Sequence, residues 1–478
     1  MPDNRFNGDE DVYPNKIGNY HKGLPHNSLG EVDLLAYKSF ADALASEAPA
    51  DFENITLGGN IPLADPQGGL AFELEGCDPQ QTSMSPAPPL ASTWRAGEAI
   101  ENYWMALLRD TNFSDYQSDA TAHAAVEELS RLSDFRGPNR GGQITPQNLF
   151  RGFTPGDQAG PYVSQFLLQP VKFGALRVDQ RYTSLPAETD QLTRAYAWLA
   201  IQNGQGPFNP NPTDPTPRYI RNGRDLSAYV RSDAPIQSYM MAAQWLLNNG
   251  IPMNSGNPYN HSLTQSGFAT FGAPHLCSLL GQAANCALKA VWYHKWFVHR
   301  TLRPEAYGGL VHWTMTGKAK YPIHPEVLDS QAVDQVFRKH GTYFLPQAYV
   351  EGCPQHPSYG QGHAAIASAC VTVLKAFFDT DSTAFPSPVQ ATRDGLSLVA
   401  YTGVDRDQLI LTNELHKLAG NISLGRNIAG IHWRSDYDQA IFLGEAVALS
   451  LLRDQRMTFN ESFSGFTLTK FDGTQVIV

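Results

Sequence analysis

Three short segments in the C-terminal 190 or so residues carry the side chains that a bound oxyanion needs. They are Lys295-Trp-Phe-Val-His-Arg-Thr-Leu-Arg303-Pro304, His356-Pro-Ser-Tyr-Gly-Gln-Gly362-His363 and Gly425-Arg426-Asn-Ile-Ala-Gly-Ile-His432-Trp-Arg434-Ser-Asp436. Lys295, Arg303 and Arg426 supply positive charge and N–H donors in several directions. Gly362 offers a backbone N–H with no side chain to block approach. His363 and His432 supply ring nitrogen that can move a proton or bind an electrophilic centre.

These side chains converge only if helix ends bring them together. Leu276–Thr301 reads as a long buried helix that Arg303-Pro304 ends, because the residue before a proline is pushed out of the α region. Lys295 and Arg303 then lie about 80° apart on an ideal helix, and they meet if the last turn unwinds. Gly362-His363 opens an Ala-rich helical run, and a helix N-terminus presents free N–H groups and partial positive charge. Arg426 and His432 cannot share a face of one continuous helix. A break at Gly430 would let them meet, with Asp436 one turn further on as a supporting partner. Taken singly, each segment has a plainer explanation: cations on a helix C-terminus, a glycine turn beside a histidine, a polar helix corner. Together, in this order and spacing, they do not.

The rest of the chain reads as mostly helical. Residues 1–30 form a polar arm that frays or wraps a partner subunit, and 48–95 form irregular cover. Helices are expected at 29–47, 97–109, 120–132, 188–202, 234–247, 363–378, 405–426 and 437–452, with loops at 135–160 and 204–222. Phe466 to Val478 alternates around Asp472-Gly473 and predicts a β-hairpin. The expectation is an all-α protein of two helical bundles with a small C-terminal hairpin. Its divisions are an arm and cover at 1–95, an N-terminal bundle at 96–250, a catalytic bundle at 251–460 and the hairpin at 461–478.

Composition narrows the partners. The chain has 478 residues, 42% hydrophobic and 17% charged, with net charge −11, which makes nucleic acid or an anionic membrane an unsuitable partner. The five cysteines show no zinc-type spacing; one bridge or a reducing compartment fits equally. The N-terminus lacks the apolar stretch of a signal peptide, and no run approaches the roughly 18 residues that span a bilayer. The expectation is a soluble protein, cytoplasmic by default.

The order K-x7-R-P, G-H, R-x5-H-x3-D resembles the vanadium-dependent haloperoxidases, which share an outline with the type 2 phosphatidic acid phosphatases. The seven-residue gap after Lys295, His356 seven before His363, and the string Asn427-Ile-Ala-Gly-Ile-His432-Trp-Arg434-Ser-Asp436 are similar to the algal bromoperoxidase branch. The resemblance implies vanadate bonded by His432, with its oxygens held by Lys295, Arg303, Gly362 and Arg426. It makes His363 the acid–base residue, gives Lys295 a catalytic role on hydrogen peroxide, and puts Trp292 and His356 on the halide side. Gln361 stands where the family has serine; its amide can donate but has a longer reach.

The implied reaction is peroxide-dependent oxidation of bromide or iodide, followed by halogenation of a small organic substrate. The family assembles as homo-oligomers built on dimers, in some members of twelve subunits, and some relatives bind a structural calcium ion, here near Phe173–Tyr182. Two other functions fit the same cradle: an acid phosphatase with His432 as nucleophile, and a non-catalytic oxyanion-binding assembly protein. The remaining histidines, among them His275, His294, His299, His312, His324, His340 and His416, read as packing or surface groups. Arg434 and Asp438 read as a surface ion pair.

Overall fold

The computed structural model describes residues 4–138, 143–207 and 209–478. The first three residues of the expected arm and four of the expected 135–160 loop lie outside the described residues, as does one of the loop at 204–222. Helices dominate. The first half contains α1 (Asp9–Val12), α2 (Leu34–Ser46), α3 (Pro49–Phe52), α4 (Thr93–Leu107) and α5 (Ala120–Leu129). It continues with α6 (Ala195–Gln202), α7 (Gly223–Ser232) and α8 (Gln237–Asn248). The second half contains α9 (Ala273–Tyr293), α10 (Pro304–Met315), α11 (Pro325–Leu328), α12 (Gln331–His340), α13 (Gly362–Phe377), α14 (Leu411–Ile428) and α15 (Arg434–Arg456).

Strands are short antiparallel pairs. β1 (Val171–Phe173) pairs with β2 (Leu176–Val178), and β3 (Tyr182–Ser184) with β4 (Asp214–Arg218). β5 (Val389–Ala391) pairs with β6 (Leu398–Ala400), and β7 (Thr467–Thr469) with β8 (Gln475–Ile477). The β7–β8 turn holds Gly473 at φ 83°, the left-handed conformation that an Asp-Gly turn supplies.

Caps explain where the early helices start. The Asp33 side chain accepts from the Leu35 and Ala36 amides, so α2 begins at Leu34 rather than at 29. Ser92 accepts from the Arg95 amide, so α4 begins at Thr93, ahead of the expected 97. Each such cap contributes about 1 kcal/mol. α6 is shorter than expected because Glu188 and Leu192 sit at φ 60° and 57°, a conformation no helix continues.

α13 is the centre of the molecule. It packs against α9, α14 and α15, and every one of its residues except His363 is buried. A helix with Ile366, Val371, Val373, Leu374 and Phe377 all inside cannot tilt without opening cavities. Its first turn is therefore held rigidly. α14 and α15 both pack on α13 and on each other, and the Gly430 turn joins them at φ 86°. A Cβ at Gly430 would meet Gln347 Nε2 at 2.8 Å, so only glycine fits that turn.

Three expectations are corrected. Pro304 does not end a helix: it is the first residue of α10, with Arg303 as N-cap, because proline's fixed φ suits the N1 position. α10 itself was hidden by Gly308-Gly309, and a Cβ on Gly309 would meet the Trp198 ring at 2.1 Å. Within the N-terminal arm, Ile17–Leu24 does not fray: it is buried, the Tyr20 amide donates to the Arg300 carbonyl at 2.7 Å, and Tyr20 packs edge-on to Trp296. Arg434 is not at the surface; it is buried on Glu101, Nε to Oε2 2.8 Å. All five cysteines are free thiols.

Candidate active site

The first segment is shaped by a change of helical period. α9 ends at Tyr293, and His294–His299 continues as a π-helical turn closed by Arg300 at φ 39°. This is the unwinding that the Lys295–Arg303 spacing required. Lys295 is fully buried and donates from Nζ to the carbonyls of Pro357 and Ser358, both at 2.8 Å. Arg303 joins the other two segments. Its Nε donates to the His356 carbonyl at 2.9 Å, its Nη1 to the Ile431 carbonyl at 2.8 Å and to His432 Nε2 at 2.9 Å, and its Nη2 to His356 Nδ1 at 2.9 Å.

Asp436 organises the third segment. Its Oδ2 lies 2.6 Å from His432 Nδ1, 2.5 Å from Ser358 Oγ and 3.0 Å from the Trp433 amide. A carboxylate accepts only, so His432 carries its proton on Nδ1 and presents the Nε2 lone pair. Burial and the charges of Arg303, Lys295 and Arg426 hold the His432 pKa well below its ordinary 6.5. The imidazole is therefore neutral, as a metal ligand must be. Burial also lowers the Lys295 pKa, with Arg303 adding to the effect, while Asp436 pulls it back up.

The second segment supplies the remaining pieces. The Gln361 amide N–H donates to the Asp436 carbonyl at 3.0 Å, which fixes the start of α13 against the start of α15. No side chain caps α13, so its first N–H groups, beginning at Gly362, are open to an anion. His363 alone of α13 reaches solvent, 26% exposed, and its Nε2 lies 3.2 Å from Asp233 Oδ1 at the C-terminal end of α7. His356 packs against Trp292, ring centroids 4.6 Å apart. Arg426 donates from Nη1 to the Val230 carbonyl at 3.0 Å and keeps a buried Nε with no protein partner.

All the residues singled out in the three segments thus share one neighbourhood. Two were missed as participants. Ser358 lay inside a quoted segment, but nothing in its spacing marked it as a partner for Asp436. Asp233 lies 130 residues before His363 and has no local signal at all. Of the histidines read as packing, His294, His299 and His416 are buried as expected, with His416 Nε2 2.9 Å from Lys375 Nζ.

The donor set fits an oxyanion with a metal-like centre. Arg303, Lys295 and Arg426 all lie close enough to His432 to lower its pKa, the neutral imidazole presents its Nε2 lone pair to Arg303, and the Arg426 Nε is buried with no protein partner. Fold and site define a helical-bundle protein with a buried cluster of N–H donors gathered around one histidine. The family model for the VCPO second helical-bundle domain matches residues 275–461. The chain is 33% identical to the vanadium-dependent bromoperoxidase of Corallina pilulifera, over 98% of this chain and 94% of the relative. It is 33% identical to that of Corallina officinalis, over 98% and 92%. It matches the homohexameric structure of the second vanadate-dependent bromoperoxidase of Ascophyllum nodosum with TM-score 0.94 and 30% identity, covering 99% of this chain and 86% of that one. The chain belongs to the vanadium-dependent bromoperoxidase family.

Proposed function

We infer that this protein is a vanadium-dependent bromoperoxidase. Hydrogen peroxide is reduced to water while bromide, or iodide, is oxidised to hypohalous acid, with one proton consumed, and the hypohalous acid halogenates a small organic substrate. The observation that carries the reading is the Arg303–His432–Asp436 chain: a neutral imidazole with its lone pair turned into a nest of buried cations.

In this reading residues 251–460 carry the catalytic bundle. His432 Nε2, which here accepts from Arg303 Nη1, would bond the metal, and Lys295, Arg303, Arg426 and the Gly362 amide would hold its oxygens, with Gln361 beside them. When bound, vanadate supplies a Lewis-acidic centre that makes peroxide oxygen electrophilic. The protein's own contribution is preorganised charge. Lys295 is pinned by two carbonyls and Arg303 by the His356 and Ile431 carbonyls, which limits how far either must move as charge shifts during reaction. His363, oriented by Asp233, takes a proton from hydrogen peroxide and returns one to the leaving oxygen. Trp292 and His356 form the wall from which halide approaches, and the His356 pKa is held well below 6.5 by burial, then by Arg303 and Lys295.

Assembly as a homo-oligomer is part of the same reading; dimer-based and twelve-subunit forms are the family precedents. A structural calcium ion near 173–182 has the resemblance as its support; among the described residues no group of three or more His, Cys, Asp or Glu converges to hold a metal, so backbone carbonyls would have to supply most of its ligands. The five free thiols suit a reducing compartment such as the cytoplasm. Among the described residues no helix is long and apolar enough to cross a membrane. The decisive experiment is to strip the protein of oxyanions, add orthovanadate, and assay peroxide-dependent bromination. Activity that requires vanadate is expected; none with bromide or iodide overturns the reading.

A further inference from the structure

Gln361 is the chain's departure from the family pattern, and its orientation is decided by the fold. The side chain is fully buried. Its Nε2 lies 2.8 Å from the Ser423 carbonyl on α14. A carbonyl can only accept, so it is the amide nitrogen that faces Ser423, and the oxygen is directed elsewhere. That Oε1 is buried and has no hydrogen-bond partner in the protein. It does not cap its own helix either, although Gln361 immediately precedes Gly362 and His363 and is tied through its backbone to Asp436.

We propose that Gln361 Oε1 is a hydrogen-bond acceptor set among the donors of the cradle, and that it selects oxyanions carrying a proton. This rests on the reading of the three segments as an oxyanion site. Lys295, Arg303, Arg426 and the α13 amides donate, and they satisfy bare oxygens. A carboxamide oxygen does the opposite: it is satisfied by an O–H group and repelled by an unprotonated oxygen. A buried acceptor left unpaired costs enough to discriminate by roughly tenfold or more. The serine of the family pattern can rotate its hydroxyl to donate or accept; the Gln361 oxygen cannot. Gln361 is therefore a specificity-determining residue for the protonation state of the guest.

The test uses the protein without vanadate and reads binding rather than turnover. Phosphate and sulfate have the same shape, but near pH 6 phosphate carries protons and sulfate carries none. Charge alone favours the dianionic sulfate in a cationic cradle. Calorimetric titration of the wild type at pH 6 is expected to show phosphate bound at least about tenfold tighter than sulfate. Gln361→Met keeps the length and removes the acceptor, and it is expected to abolish or reverse the preference. Gln361→Ser, with a rotatable hydroxyl, is expected to narrow it, and serves should the Met variant misfold by thermal melting. Equal binding of both anions by the wild type, or an unchanged ratio in a folded variant, overturns the proposal while leaving the cradle intact. Binding of neither anion overturns the cradle reading and this inference together.

Discussion

His432 Nδ1 sits 2.6 Å from Asp436 Oδ2, one helical turn away across the start of α15. This contact selects the tautomer that keeps Nε2 unprotonated, as the acceptor that here receives Arg303 Nη1, and the same carboxylate oxygen also receives Ser358 and the Trp433 amide. Removing it frees the ring and unpairs three donors at once. Asp436→Ala is expected to weaken vanadate binding by about 10–100-fold, measured by titration of the vanadate-free protein. Asp436→Asn, which can still accept from Nδ1–H, should lose less. Unchanged affinity in both variants would show that the ring is oriented by something else.

His363 is held differently: partly exposed, on the end of a rigid helix, beside Asp233. His363→Ala should lower the turnover number for bromide oxidation by roughly 10²–10⁴-fold and leave the vanadate dissociation constant nearly as it was. Asp233→Asn should act through the same ring, so combining it with His363→Ala should add little. Additive losses in the double variant would separate the two residues and refute the pairing.

Glu101 holds Arg434 at the start of α15, with both side chains buried. Glu101→Ala leaves an uncompensated buried guanidinium and should cost about 3–5 kcal/mol of stability. A urea unfolding midpoint that does not move would contradict this.

Acid should destabilise the fold. Burial lowers the pKa of His26, His294 and His312 from 6.5 to about 4. The unfolded chain binds protons there that the native chain refuses, so stability is lost as pH falls from 6.5 toward 4. Burial raises Glu98 from 4.5 to about 7 and Asp157 from 3.8 to about 6. Those two groups have the opposite sign, since the native chain holds protons that the unfolded chain releases as pH rises through the same window. Asp9, Asp436 and Glu445 are also raised by burial, but the histidines outnumber these carboxyls, because His21, His299, His356, His416 and His432 are lowered by burial as well. Denaturant unfolding at pH 7 and pH 4.5 should therefore show a lower midpoint in acid. A higher midpoint at pH 4.5 would mean that the raised carboxyls dominate.

Helix periodicity made α13, α14 and α15 legible, and the Asp-Gly turn made the last hairpin legible, because both signals are local. The start of α10 was misread because proline before a helix and proline after one look alike in a one-dimensional pattern. Fraying of the arm was a misreading because its polar composition says nothing of Trp296, against which Tyr20 packs.

The site divides along the same line. Residue types and spacing within each segment were enough to name the donors, since cations, a free helix start and a histidine with a carboxylate one turn away are properties of short stretches. Which donor meets which acceptor was not written there. Asp233 reaches His363, Ser358 reaches Asp436, and Gln361 turns its oxygen away from Ser423 because α7, α13, α14 and α15 pack in one particular arrangement. Such pairings depend on distances between helices far apart in the chain, and those distances exist only once the shared core has closed.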